Sequence, residues 1–190
     1  MQDNSHIEAT RHWLETAVIG LNLCPFARAP YQAGRVHFEV SAATSPDELL
    51  EDLMIQLQAL VALPEQTRET TLLIHPGTLL DFGDFNDFLA VADEVLAALE
   101  LEGVVQIASF HPQYRFAGTE PEDVENCSNR SPYPILHLLR ENSVAWAVER
   151  MTDPDEIYRN NIRRLRGLGR AGWQALWSDR QASAEPGAKD

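Results

Sequence analysis

Three side chains able to do chemistry stand directly before a proline: Cys24-Pro25, His75-Pro76 and His111-Pro112. A thiolate is a nucleophile and a soft metal ligand, and an imidazole titrates near neutrality, so it can move protons or bind a metal. A residue before proline is pushed out of the helical region into extended or turn geometry. Each of the three is therefore expected at the end of an element. Cys24 is a candidate nucleophile if a helix terminus, the nearby Arg28 or a histidine lowers its pKa. The alternative is a small buried thiol that closes the first helix. His111 is a candidate general acid or base, against the plainer role of anchoring a loop by hydrogen bonds to the backbone.

A second concentration follows His111. The stretch Asn126-Cys127-Ser128-Asn129-Arg130-Ser131-Pro132-Tyr133-Pro134 leads into Ile135-Leu136-His137-Leu138-Leu139-Arg140-Glu141. Ile135, Leu138 and Leu139 recur at helical spacing, which predicts a short helix with His137, Arg140 and Glu141 on one face. Arg130 then lies just ahead of a helix N-terminus, where anions are favoured. Arg130 and Arg140, with Arg28 or Arg115, can clamp a carboxylate or phosphate, and Asn129 and Ser131 flank that group. The structural alternative is a helix entry, with Ser131 capping and Pro132 opening a turn. His75, His111, His137 and Cys24, with Asp81 or Asp84, have the ligand chemistry for zinc, iron or copper, although no pair sits at a recognised ligand interval. A Cys-Pro pair also occurs in haem-thiolate sites.

The elements that must position these groups alternate. Ser5 and Glu8 form a capping box ahead of Trp13, Leu14, Ala17, Val18 and Leu21, predicting a helix from about 6 to 21 that Pro25 stops. Strands are predicted at 35–40, where Val36, Phe38 and Val40 share a face, at 70–74, and at 104–110. Between them, Ser45-Pro46-Asp47-Glu48 starts a helix buried through Leu50, Leu53, Leu57 and Leu60. Phe85, Phe88, Leu89, Ala92, Leu96 and Leu99 mark another, closed by Gly103. Strand, helix, strand, helix, strand implies a mainly parallel α/β sheet of about three strands. His75 and His111 then end two strands at the carboxyl edge, where open α/β sheets bind ligands. The segment 112–134 is a long loop of the kind that forms sites. A last helix starts at Asp153-Pro154-Asp155-Glu156, is interrupted around Gly167-Leu168-Gly169 and ends near Trp177. Residues 1–177 are expected to form one domain, with 178–190 a disordered tail.

The chain has 29 acidic residues against 15 basic ones, fourteen of them Arg, for a net charge of −14. Such a chain is repelled by phosphate backbones and anionic lipid, which argues against nucleic acid and membrane surfaces as partners. No run approaches the eighteen apolar residues of a membrane span, and the polar start lacks a signal pattern, so a cytoplasmic location is expected. Two cysteines are too few for a disulfide framework. The acidity belongs to residues 1–150, with 23 acids and 8 arginines, whereas 151–190 carry 6 acids and 7 bases. Arg159, Arg163, Arg164, Arg166 and Arg170 stripe the last helix, and pairing with the acidic body is the reading preferred over a nucleic-acid contact.

Leu21-Asn22-Leu23-Cys24-Pro25-Phe26-Ala27, Phe110-His111-Pro112 with Phe116-Ala117-Gly118, and Asn129-Arg130-Ser131-Pro132-Tyr133-Pro134 with His137-Leu138-Leu139-Arg140 together carry a resemblance. Over about 6–177 the chain resembles the bacterial family known as domain of unknown function 1415. The resemblance implies a protein of this length and no particular activity. The residues themselves point to an enzyme of hydrolysis or group transfer on an anionic small molecule. Cys24, His111 and His137 would be catalytic and Arg130, Arg140, Asn129, Ser131 and Arg115 would hold the substrate. A metal- or haem-binding protein using His75, His111, His137 and Cys24, and a non-catalytic interaction partner, are the alternatives.

Overall fold

The computed structural model describes residues 2–149 and 155–184. Helix α1 (Gln2–Trp13) continues into a π-helical segment, Leu14–Ile19, so Ser5 lies inside the helix instead of capping it. A turn at Cys24 leads to the short α2 (Arg28–Gln32) and to strand β1 (Val36–Val40). Helix α3 (Pro46–Ala62) starts as its sequence dictates, with the Ser45 hydroxyl accepting from the Glu48 amide at 3.3 Å. The Glu48 carboxylate accepts from the Thr44 amide at 2.7 Å, one residue before the expected box partner. Leu49, Leu53, Leu57 and Leu60 are its buried stripe, so Leu49 takes the place expected for Leu50. Strand β2 (Thr70–Ile74) is buried at every position. Helix α4 (Phe82–Ala98) is capped by the Asp81 carboxylate on the amides of Gly83 and Asp84, and strand β3 (Val105–Phe110) follows.

The sheet corrects the sequence-based expectation. It has four strands in the order β1-β2-β4-β3, and β4 is Ile135–Arg140, the segment expected to be helical. Strand β4 lies antiparallel to both neighbours, with Ile135 level with Ile74 and Phe110. Only β1 and β2 form a parallel pair. The α3 and α4 crossovers still bring β1, β2 and β3 into one direction, but β4 fills the gap between β2 and β3. Its run Ile-Leu-His-Leu-Leu is apolar on both faces because a central strand is covered on both, and such a run resembles a buried helix in periodicity.

The two faces have separate cores. Helices α3 and α4 cover one, with Leu73, Phe85, Leu136 and Leu138. Helix α1 and its π-helical extension cover the other, with Trp13, Val18, Leu72, Ile74 and Ile135. After β4 come α5 (Glu141–Glu149) and α6 (Asp155–Ala184), the latter broken at Gly169 (φ 66°) as the glycine pair implies. Asp153 and Pro154 of the expected helix start, and 185–190 of the expected tail, lie outside the described residues. Helix α6 packs on the long loop through Leu165, which meets Leu23 and Cys127. Arg166 pairs with Glu125 and Arg170 with Glu122, while Arg164 donates to the Asn22 carbonyl at 2.7 Å. No described helix is long and apolar enough to cross a membrane.

Candidate functional site

The sheet separates the residues that the sequence groups together. His75 and His111 follow β2 and β3 at one edge, and both rings pack on Phe85 of α4, with centroids at 5.6 and 5.1 Å. Nδ1–H of His75 donates to the Thr78 carbonyl at 3.2 Å. Nδ1 of His111 accepts from the Gln113 amide at 3.0 Å, so its proton sits on Nε2 and is donated to the Leu79 carbonyl at 3.2 Å. Both imidazoles thus hold the loop in which Leu79 takes φ 53°, a left-handed value that costs a leucine about 1–2 kcal/mol. Burial drives the pKa of His75 down to about 4 and lowers that of His111. These two histidines are neutral anchors on the α3/α4 face.

Cys24 and His137 lie on the other face, where they line one cleft of about 280 Å³. Its floor is the sheet, from Phe110 and Leu72 toward Gln106 and Leu139. Its walls are Trp13, Leu14 and Val18 of the α1 arm and the turn from Cys24 to Ala27. The cleft therefore lies over the sheet face and the amino ends of β1–β3, not at the carboxyl edge where the two X-Pro histidines point. A mostly apolar concavity with few polar groups is the ordinary form of a small-molecule site.

The π-helical segment sets the position of Cys24. The Val18 carbonyl accepts from the amides of Leu23 (2.8 Å) and Cys24 (3.4 Å). Gly20 permits this turn, because a Cβ there would sit 2.2 Å from the Thr16 carbonyl oxygen. Burial raises the thiol pKa, and hydrogen bonds from the amides of Phe26 and Ala27 oppose that rise. His137 is fixed through Thr70, whose hydroxyl lies 2.6 Å from both Nε2 of His137 and the Leu138 carbonyl. Burial lowers its pKa to about 4.

The arginines do not converge. Arg140, at the end of β4, turns its guanidinium to the carbonyls of Leu60, Leu63 and Arg68, closing the C-terminus of α3. Arg130 lies beyond the other end of β4, roughly 20 Å away at the usual strand rise, and donates to the carbonyls of Tyr114 and Pro121. Its own carbonyl accepts from Trp13 Nε1 at 2.8 Å. With β4 a strand, no helix N-terminus follows Arg130, and His137, Arg140 and Glu141 share no helical face. Arg28 donates to the Ile19 carbonyl at 3.3 Å, and Arg115 is exposed. Asn129 binds the β3 edge through the Ser109 carbonyl, and the Ser131 hydroxyl donates to the Tyr133 carbonyl. Among the described residues, no group of three or more His, Cys, Asp or Glu side chains could hold a metal ion.

Sequence reasoning passed over four contributors. Trp13 and Phe110, packed edge to face at 5.1 Å, wall the cleft, and Thr70 orients His137. Asn126, wholly buried, organises the long loop by accepting from the Phe116 amide and the Thr119 hydroxyl while donating to the Glu120 carbonyl. Only Thr70 left a signal, as a polar side chain in a strand otherwise covered on both faces.

A mixed α/β sheet with an apolar, Cys- and His-bearing cleft on one face defines a class of architecture, not an activity. The chain belongs to the family described as protein of unknown function (DUF1415), whose model matches residues 5–175. Comparison with curated proteins and with solved structures finds no match.

Proposed function

We propose that this protein is a small-molecule protein whose ligand or substrate occupies the cleft between the α1 arm and the sheet. Cys24 and His137 are the side chains that act on it. The observation that carries this reading is their enclosure in one apolar concavity of about 280 Å³, while the other candidates, the exposed Arg115 apart, have identifiable structural tasks. Hydrolysis or group transfer remains the reaction class that a thiol and an imidazole in one cleft suit best. Cys24 and His137 both rest uncharged: a thiol whose pKa is raised and an imidazole whose pKa is lowered. Activation then requires the bound substrate to bring the Cys24 proton to an acceptor, and neutral His137 is one. The anionic character expected from Arg130 and Arg140 loses its support, because both guanidinium groups are engaged with backbone carbonyls.

The test is occupancy. Naphthalene-sized apolar probes should bind by calorimetry and slow alkylation of Cys24. Ala108→Trp, which fills the floor, should abolish both effects while the far-UV spectrum is retained. Unchanged binding in a folded Ala108→Trp protein would place the ligand elsewhere.

A further inference from the structure

The Thr70 hydroxyl has one proton and two close partners. The Leu138 carbonyl oxygen, 2.6 Å away, can only accept, so the proton of Thr70 goes there. The second contact, also 2.6 Å, must then run from Nε2–H of His137 to the lone pair of Thr70. The opposite assignment would set two acceptor oxygens against each other. Strand pairing therefore locks His137 in the Nε2–H tautomer, leaving Nδ1 as an acceptor with no partner among the described residues. Of the other polar groups that line the cleft, Arg140 gives Nε and Nη2 to three carbonyls and Glu69 pairs with Arg35 at 2.8 Å, while Gln106 and Ser143 complete the lining. An apolar cleft with a fixed acceptor is completed by a hydrogen-bond donor. An anion placed at Nδ1 would face a lone pair and lose hydration there with no donor in exchange.

Building on the cleft reading above, we infer that the ligand is a neutral molecule with an apolar body of about two fused rings and a hydroxyl or N–H that donates to Nδ1 of His137. A carboxylate in place of that donor is disfavoured at Nδ1. The size follows from volume: an apolar cavity of about 150 Å³ holds benzene, and this cleft is nearly twice that.

The probes are 2-naphthol, naphthalene and 2-naphthoate, titrated calorimetrically at pH 7.5 into the full chain. The expected order places 2-naphthol several-fold to tenfold tighter than naphthalene, the worth of one net hydrogen bond, and 2-naphthoate weakest. His137→Phe should bring 2-naphthol down to the level of naphthalene. Thr70→Val releases the tautomer, so the preference for 2-naphthol over 2-naphthoate should shrink. Equal binding of 2-naphthol and naphthalene, or tighter binding of 2-naphthoate, overturns the inference and leaves the cleft reading standing. If none of the three binds, the cleft reading falls and the inference with it.

Discussion

The imidazoles of His75 and His111 come from strands that are not neighbours, yet they donate to consecutive carbonyls, those of Thr78 and Leu79, across the same Phe85 ring. This arrangement ties the β2–α4 loop to the end of β3 and needs both rings neutral. His111 has no free nitrogen, and Nε2 of His75 is buried without a partner. The pair is therefore an acid-sensitive structural joint on the face of the sheet opposite the cleft.

Its pH dependence has a defined sign. Burial lowers the folded-state pKa of His75 to about 4, below the value near 6.5 of an unfolded chain, so the folded protein binds fewer protons. Stability is whole above pH 6.5 and declines as the pH falls toward 4. The loss from His75 approaches about 3 kcal/mol at 1.4 kcal/mol per unit. His137 adds a smaller share in the same window, because it borders an open cleft. Urea unfolding at pH 7.5, 5.5 and 4.5 should show the decline, and His75→Phe should flatten it. A stability that is constant from pH 7.5 to 4.5 would contradict the neutral joint.

Arg140 is expected to act on stability. Arg140→Met keeps the aliphatic stem but strips the carbonyls of Leu60, Leu63 and Arg68 of their donor. A loss of about 2–3 kcal/mol is expected in urea unfolding, since hydrogen bonds to charged groups contribute about that much. Arg140→Lys should recover only part of it, because an ammonium lacks the planar fork that reaches three carbonyls. A loss under half a kcal/mol for Arg140→Met would remove the capping role.

Gly20 links backbone to site. Gly20→Ala forces a Cβ against the Thr16 carbonyl oxygen, so the π-helical turn must shift and carry Cys24 with it. Overpacking of this kind costs about 1–3 kcal/mol. The melting temperature should fall, and the alkylation rate of Cys24 should change in the folded protein. An unchanged rate and melting temperature would show that the turn is not under this constraint.

The two thiols should differ in reactivity. Burial raises the pKa of both, but Cys24 borders the cleft and Cys127 is packed against Leu23 and Leu165. With N-ethylmaleimide at pH 7.5, Cys24 should react about tenfold or more slowly than free cysteine, and faster as the pH passes 9. Cys127 should stay unlabelled until urea is added. Rapid labelling of Cys24 at pH 6 would mean a preformed thiolate and contradict the neutral resting site.

Strand β1 and helices α3 and α4 were legible because their surroundings differ from one side to the other or because caps mark their starts, and β2 from its short β-branched and aliphatic run, Thr70 to Ile74. The Ser45 and Asp81 caps and the Val36, Phe38, Val40 alternation are local chemistry. Strand β4 was not legible, since a central strand carries no alternation and Ile135, Leu138 and Leu139 match a helix by spacing. That one element governs the site. Placing His137 on a strand turns it to the α1 face, two positions from Ile135 and level with Leu72, while His75 and His111 turn to the other. Edge and strand end could be inferred from the X-Pro steps, but the face could not, because one residue of offset reverses it. The arginines misled for a related reason: a lone guanidinium in a loop binds carbonyls as readily as anions.

The most direct test is the long-range ¹⁵N–¹H spectrum of the imidazoles, recorded with and without 2-naphthol. Without ligand, His137 and His111 should carry their protons on Nε2 and His75 on Nδ1. On addition of 2-naphthol, the Nδ1 resonance of His137 should shift while those of His75 and His111 stay in place. A proton on Nδ1 of His137, or a response confined to His75 and His111, would contradict a site on the α1 face of the sheet.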